Sequence, residues 1–394
     1  MNRVHPFLCG CFVLVAGGLV GPTRTLADEL PKPDTIQRLT PEQARMLVAG
    51  FEGPYLFLGS LTSLDAASAR AIAGFKGQVL DLFGLRSLGA ETAESLAGFQ
   101  GRALHLNGLT KLDAATAAAL AGSKGGALCL TGLTTLDAAS AKALAGFKGQ
   151  VLELAGLRPR DPDAATAVAQ FGGKTLHVRL AALDAATAAA LAAFNGDRLG
   201  LFGLTTLDTD AARSLAKFTG KELSLHCPTT IEAATAKAIV EFKGQALHLD
   251  SLTKLDAETA TALAEFKGRV SLAGNLPYEV VAEHPLTPQA ARAYAKLFEG
   301  VLPFLTTFDF PGSVETAKSL AARKGPLWLP NLKKISPKTL SALIVKEDAE
   351  LPPVETLEII AEPDGGPADD FVVPEGLRER QQKQRAARAA REAE

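Results

Sequence analysis

LHLNGLTKLDAATAAAL, residues 104–120, is the stretch that decides the fold, because lightly changed copies of it recur through most of the chain. The first leucine of successive copies recurs every 24 residues, with an interval of 23 residues in two places. The positions that begin the copies are Leu80, Leu104, Leu128, Leu152, Leu176, Leu199, Leu223, Leu247 and Val270. A fixed period of this size predicts a solenoid, in which each copy is one small supersecondary unit stacked on its neighbours.

Each copy divides into a strand and a helix. The Leu-x-Leu segment alternates over a few residues, as at 152–154, which predicts a short strand with its leucines turned inward. After a loop, an acidic residue precedes an alanine-rich segment, where its side chain can cap the first helical turn. The predicted N-caps are Asp65, Asp113, Asp137, Asp184, Asp208 and Asp256, with Glu232 in the same place once. In the helix that follows Asp113, Ala117, Leu120 and Ala121 share one face.

The predicted helices end in a repeated Phe-Lys-x pattern. Phenylalanine recurs at positions 75, 99, 147, 194, 218, 242 and 266, where it should fill the gap between helix and sheet. Several are followed by Lys-Gly, as at Lys76-Gly77 and Lys148-Gly149, so we expect the lysine to face the negative helix end and the glycine to adopt a left-handed stop. One copy carries prolines at 159 and 162, and we expect its helix to begin two residues late.

A unit of one strand and one helix resembles the leucine-rich repeat, in the alanine-rich 23–24-residue form found in secreted bacterial proteins of unknown role. The matching residues are the inward leucines, the following leucine (as at Leu109 and Leu133) and the helix-side Leu and Phe. The resemblance covers roughly residues 36–345 and implies an α/β solenoid with one short parallel strand and one helix per repeat. The chain departs from the family in lacking a regular Asn after the strand, and glycine lies near that place at 84, 108, 132, 156 and 203.

The chain is predicted to have five segments. Residues 1–27 have the features of a signal peptide, namely Arg3, an apolar run from Phe7 to Val20 and the small-residue site Thr25-Leu26-Ala27. The run is shorter than the roughly 20 residues that a membrane span requires, so we expect cleavage and no insertion afterwards. Residues 28–50 are predicted to be an N-terminal capping half-repeat, 51–275 the regular array, 276–360 divergent C-terminal repeats, and 361–394 a linker and a charged tail that is frayed on its own.

Charge and cysteine usage exclude several classes of protein. The formal charge is −2, and removal of residues 1–27 takes away two arginines and no acidic residue, leaving −4. Nothing in this balance favours nucleic acid or an anionic membrane as a partner. Cys129 and Cys227 are the cysteines of the predicted mature chain. They lie four repeats apart, on the order of 19 Å, so an intrachain disulfide is excluded if the solenoid prediction holds.

No signature of catalysis is present in the sequence. It contains no Gly-x-Ser-x-Gly, no His-Glu-x-x-His and no Cys-x-x-Cys. Residues 172–175, GGKT, end like a phosphate loop, but the earlier glycine is missing and the segment leads from helix to strand. We therefore expect no catalytic residue and no cofactor. For a metal site, only His226, Asp250 and His248 could converge, and we expect none there.

The chemistry-bearing residues gather where the strands point outward. The candidate binding residues are Tyr55, Phe57, Asp81, Phe83, His105, Glu153, His177, Phe202, His226, His248 and Asp250. A sheet of parallel strands, expected to be concave, presents such side chains in a fixed array. Polar filling of a solvated face is the alternative for the histidines, and burial is the alternative for the aromatics, to which Trp328 also belongs.

These observations predict an exported, non-enzymatic protein located in the periplasm, in the cell envelope or outside the cell. We expect it to bind an unidentified protein or envelope component through the sheet. The alternative is a structural spacer of the cell envelope, or a scaffold that associates with itself. The sequence does not specify the oligomeric state.

Overall fold

The computed structural model describes residues 32–157, 161–226, 228–272, 286–363 and 376–392. The strands are β1 Tyr55–Phe57, β2 Val79–Asp81, β3 Ala103–His105, β4 Ala127–Leu130, β5 Val151–Leu154, β6 Thr175–Arg179, β7 Arg198–Phe202, β8 Glu222–His226, β9 Ala246–His248, β10 Arg269–Ser271, β11 Thr307–Phe308, β12 Leu327–Trp328, β13 Lys334–Ile335, β14 Ala349–Glu350 and β15 Glu358–Ile359. The helices are α1 Pro41–Gly50, α2 Ala66–Ile72, α3 Ala90–Leu96, α4 Ala114–Ala121, α5 Ala138–Ala145, α6 Pro162–Ala169, α7 Ala185–Ala192, α8 Thr209–Leu215, α9 Ala233–Ile239, α10 Ala257–Ala264, α11 Pro288–Leu297, α12 Ser313–Ala321, α13 Pro337–Ile344 and α14 Leu377–Glu392.

Strands β1 to β10 form one parallel sheet in the order of the sequence, within the described part of the chain. The register places equivalent leucines side by side, so Leu80 pairs with Leu104 and Leu104 with Leu128. A helix separates each strand from the next. The predicted fold class is confirmed: the chain is an α/β solenoid of leucine-rich-repeat type with 23–24 residues per repeat.

The hydrophobic core lies between the sheet and the helices. Two inward residues of each strand segment from β1 to β9, leucines except for Val178, point into it, and Leu104 and Leu106 expose 1% and 0% of their surface. On the helix side Ala117 and Leu120 are fully buried. Small alanines let successive helices lie close to one another, while the leucines fill the space beneath them.

The predicted aspartate caps are confirmed. In α4 the Asp113 carboxylate accepts a hydrogen bond from the backbone N–H of Thr116, and the same bond recurs at the other predicted aspartates. Glu232 occupies the N-cap position of α9 without a side-chain capping bond. The expected late start of α6 is wrong. Asp161 caps this helix at the regular position, because Pro162 is well tolerated in the first helical turn.

The recurrent phenylalanines form a stacked ladder along the core. Neighbouring rings are nearly parallel, with centroids 6.0 Å apart for Phe147 and Phe171 and 6.2 Å apart for Phe194 and Phe218. Ser123 takes the phenylalanine position once, between Phe99 and Phe147, and its buried hydroxyl has no hydrogen-bond partner among the described residues.

The glycines after Lys76 and Lys148 are not left-handed, so that expectation is wrong. A Cβ atom on Gly77 would lie 2.1 Å from Cζ of Phe75, and one on Gly149 would lie 2.2 Å from Cζ of Phe147. Glycine is required here because the phenylalanine ring of the same turn occupies the space of a side chain. The repeated Phe-x-Gly pattern is therefore a packing device.

The C-terminal repeats continue the array with two strands per unit. β11, β13 and β15 form one small parallel sheet, and β12 and β14 form another. The last of these strands in the described chain is β15. Two side chains of α11 join these repeats to α10. The Tyr294 hydroxyl donates to the carbonyl of Leu255, and Lys296 donates to the carbonyl of Phe266.

Helix α14 docks on the last repeat, whereas its sequence predicts a frayed segment when it is on its own. In α14, Leu377 is buried and Arg380 donates to the Ile344 carbonyl. Gln381 donates to the Pro352 carbonyl and accepts from the Val354 N–H. The helix is held mainly by side chains that satisfy backbone groups of the last repeat, which an apolar pattern does not reveal.

Two expectations concern residues outside the described ranges: the signal peptide at 1–27 and Cys227. In the described part of the chain, no helix combines the length and the apolar character needed to span a membrane.

Candidate binding face of the ten-stranded sheet

Three columns of side chains cover the outward face of the sheet, here called the outer face. They arise because alternate residues of a strand point to opposite sides and the register places residues one repeat apart next to each other. The first column is Tyr55, Val79, Ala103, Ala127, Val151, Thr175, Arg198, Glu222, Ala246 and Arg269. The second is Phe57, Asp81, His105, Cys129, Glu153, His177, Gly200, Ser224, His248 and Ser271. The third, beyond the second leucine, is Gly59, Phe83, Asn107, Thr131, Ala155, Arg179, Phe202, His226 and Asp250.

An aromatic cluster of Tyr55, Phe57 and Phe83 occupies the N-terminal end of the outer face. These side chains are 39%, 50% and 49% exposed, so the alternative of burial is not met at this end of the sheet. The Phe83 backbone N–H donates to the Asp81 carboxylate, which fixes the strand exit beneath its ring. The guanidinium of Arg86 lies 6.0 Å from the centre of the Phe83 ring, within cation–π range.

In the middle of the outer face, carboxylates and histidines alternate on neighbouring strands. His105 Nδ1 lies 3.4 Å from Asp81 Oδ2, and His177 Nδ1 lies 3.1 Å from Glu153 Oε1. The Cys129 thiol also bonds to Glu153. The hydrogen bond with His177 lowers the pKa of the Glu153 carboxyl below its ordinary value, while burial acts in the opposite direction.

An aromatic stack of His177, Phe202 and His226 follows. The Phe202 and His226 rings lie parallel with centroids 4.4 Å apart, and His177 meets Phe202 edge-on at 5.2 Å. Gly200 makes room for this arrangement, because a Cβ atom there would lie 2.6 Å from His177 Cδ2. Burial lowers the pKa of His226, and the charge of Asp250 opposes this effect. Phe202 is therefore half-buried, in contrast to the aromatic cluster.

The C-terminal end of the outer face is a charge network. His248 lies 3.9 Å from Glu222 and 3.8 Å from Asp250. Glu222 is also paired with Arg198 at 3.0 Å, and the Ser271 hydroxyl donates to Asp250 at 2.7 Å. Trp328 lies apart from this network, in β12 of a separate small sheet.

The chemistry of the face is that of mutually satisfied polar groups. Within the described residues, no three His, Cys, Asp or Glu side chains are arranged to hold a metal ion. The acid and histidine pairs bridge adjacent strands, except that His248 and Asp250 belong to one strand segment. The exposed residues of the face are the aromatic cluster and three arginines, Arg179, Arg198 and Arg269.

The structure brings every predicted binding residue to the outer face, but it divides them among the four groups described above. The sequence interval predicted which residues are neighbours, such as His105 beside Cys129. It missed Arg86, Arg198 and Glu222 as partners, and the role of Gly200. The signal for Glu222 and Arg198 was present, because both fall in the first outward column.

No known family model matches the chain, and no curated protein matches it. Among solved structures it is similar to a chain of the Toll–Spatzle complex, described as a molecular hub in Drosophila development and innate immunity, with 9% sequence identity and a TM-score of 0.33. The similarity covers 73% of this chain and 52% of that one, so the chain spans about half the length of its solved counterpart. At this TM-score the similarity supports no conclusion about this chain. The fold assignment rests on the repeat and the strand order.

Proposed function

We propose that the chain is an exported, non-enzymatic repeat protein that binds a protein or another envelope component through the outer face. The observation that carries this proposal is the exposure of the aromatic cluster. Exposed large aromatic side chains gain much free energy when binding removes them from water, so they are typical anchors of binding sites. Export rests on the features of residues 1–27, and the bacterial envelope on the resemblance of the repeats.

The paired acids of the outer face support recognition over catalysis. Asp81, Glu153 and Glu222 already have partners on neighbouring strands at 3.0–3.4 Å. Groups held in this way present a fixed pattern of donors and acceptors along the outer face, which favours specificity. No cofactor is required for this activity.

The test is capture of partners from the native envelope, with the unchanged chain and a Phe57→Ala/Phe83→Ala variant as baits. We expect a discrete partner that the variant fails to retain. Val345→Ala is the matched control, because Val345 is 78% exposed but lies just after α13, away from the ten-stranded sheet. Equal capture by both baits would contradict the proposal. Recovery of the chain itself, or of nothing, would favour the spacer or self-associating scaffold.

A further inference from the structure

A second surface of the solenoid is defined by the turns that lead from each helix into the next strand. In five successive repeats these turns read GFKGQV (74–79), GFQGRA (98–103), GSKGGA (122–127), GFKGQV (146–151) and QFGGKT (170–175). Each contributes one cation and none contributes an acid. The cations, here called the basic row, are Lys76, Arg102, Lys124, Lys148 and Lys174, and all of them are exposed.

The turns are held at a constant spacing by backbone hydrogen bonds. Gln150 N–H donates to the Gly126 carbonyl at 2.7 Å, and Lys174 N–H donates to the Gln150 carbonyl at 2.8 Å. Since the attached strands are paired, adjacent turns follow one another at about 4.8 Å. The basic row is thus a band of positive charge on the order of 20 Å long, in which each cation occupies the third or the fifth place of its turn.

The helix dipole by itself favours cations at helix C-termini. The basic row is therefore compared with the equivalent turns of the later repeats. The next four turns follow equivalent helices, but each contains an acid, and most of their cations are paired, Lys217 and Lys267 being the exceptions. Lys221 binds Asp197 at 2.9 Å, Lys243 lies 3.5 Å from Glu241, and Arg198 pairs with Glu222. No carboxylate of the described residues lies within ion-pair distance of the basic row. The helix dipole acts on both sets of turns, so it does not explain why the first five turns contain no acid.

We propose that the basic row binds a linear acidic polysaccharide along the edge of the solenoid. A band with one charge in each successive turn matches a chain with repeating anionic groups. Exposed Gln78, Gln100 and Gln150 stand between the cations, and their amides can bond to sugar hydroxyls. Glu52, at the corresponding place in the turn before β1, marks the N-terminal limit of the row.

The same turns disfavour the other polyanions. The phenylalanines of these turns are buried, so no aromatic ring is available to stack on nucleic acid bases. A membrane-binding edge would combine cations with exposed apolar residues that enter the lipid boundary, and the turns expose glycine and polar residues instead.

The experiment measures binding of heparin, a linear acidic glycan, to the whole chain at several salt concentrations. We expect affinity to fall with salt as for roughly four released counterions. A variant with Lys76, Arg102, Lys124, Lys148 and Lys174 changed to Gln should bind about tenfold more weakly or worse. The matched control changes Lys217, Lys237, Lys254, Lys267 and Lys333 to Gln. It removes the same net charge from exposed residues without ion pairs among the described residues, and should retain most of the affinity.

Three results would overturn the proposal: no heparin binding by the unchanged chain, equal losses in the two variants, or tighter binding of a DNA oligonucleotide or of anionic vesicles through the same row. Thermal melts of both variants establish that they are folded. The aromatic cluster lies elsewhere, so Phe57→Ala/Phe83→Ala should leave heparin binding unchanged. The outcome is therefore independent of the proposed function.

Discussion

The two faces of the same strands differ in how far one repeat resembles the next. On the inward face, leucine recurs from β1 to β9 with almost no exposure. On the outward face, the second column changes at each of its first three steps, from Phe57 to Asp81, His105 and Cys129. Equivalent residues lie side by side, so the inward face repeats one packing solution. The comparison indicates that packing fixes what the repeats share, while the outer face is free to differ.

The largest expected effect comes from charging the inward side. Leu120 is fully buried in α4, so Leu120→Asp should lower the free energy of unfolding by roughly 4 kcal/mol or more, because the carboxylate has no partner there. Denaturant unfolding measures it. Lys111→Glu, an exposed change in the same repeat, should stay within about 0.5 kcal/mol. Similar losses in both variants would show that the inward and outward assignments are wrong.

The same residue type should behave differently on the two sides. Phe218→Ala should cost about 3–5 kcal/mol of stability, because it removes a ring stacked between Phe194 and Phe242 in the ladder. Phe83→Ala, which removes a half-exposed ring, should cost less than about 1 kcal/mol. Unfolding curves of the two variants give the comparison directly. An equal loss of stability in the two variants would contradict the distinction between the two sides.

The outer face should also respond to pH. Burial holds the pKa of His226 below its ordinary value of 6.5, so the folded state favours the neutral ring. The stability from this residue is fully present above that value and is lost as pH falls through the folded-state pKa. Unfolding free energies measured from neutral to mildly acidic pH should therefore decline less in His226→Gln than in the unchanged chain. Parallel declines in the two proteins would contradict this assignment.

Glu153 should act at lower pH. Its folded-state pKa is held below the ordinary value of 4.5 by the bond with His177, so its contribution is present above that value and is lost as pH falls further. Glu153→Gln should reduce the decline in stability only in this lower range. A change confined to near-neutral pH would argue against it.

The smallest expected effect concerns the break in the phenylalanine ladder. Ser123→Ala removes a buried hydroxyl that has no partner among the described residues, and should raise stability by roughly 1 kcal/mol. Ser140 is the control, because its equally buried hydroxyl donates to the Leu112 carbonyl, and Ser140→Ala should lower stability by a similar amount. Thermal or denaturant unfolding resolves the sign. A loss in both variants would indicate an unrecognised partner for Ser123.

The solenoid, its register and its caps could be predicted because each follows from residue type at a fixed interval. Leu104 faces inward and Asp113 caps a helix for reasons visible within one repeat. The docking of α14 could not be predicted in this way. Gln381 and Arg380 bond to carbonyls and an N–H of residues 344–354, and such polar contacts leave no periodic apolar signal.

The sequence predicts which residues of the candidate site are neighbours, but it does not predict which side-chain contacts they make. The period places His177 beside Glu153, but the ring orientations of His177, Phe202 and His226 depend on the space that Gly200 leaves. Likewise, the turn glycines were recognised as necessary, but the reason is the phenylalanine ring that packs over them. How the side chains fill the space between neighbouring repeats depends on the folded structure, so the sequence pattern alone does not predict it.

The central claim is that the outer face carries recognition while the inner face carries stability. Its most direct test combines calorimetric affinity for the recovered partner with denaturant unfolding for Tyr55→Ala, Phe57→Ala and Phe83→Ala. We predict that at least one variant loses on the order of 2 kcal/mol of binding free energy, while each loses less than about 1 kcal/mol of stability. Substantial unfolding without a selective loss of binding would contradict the claim.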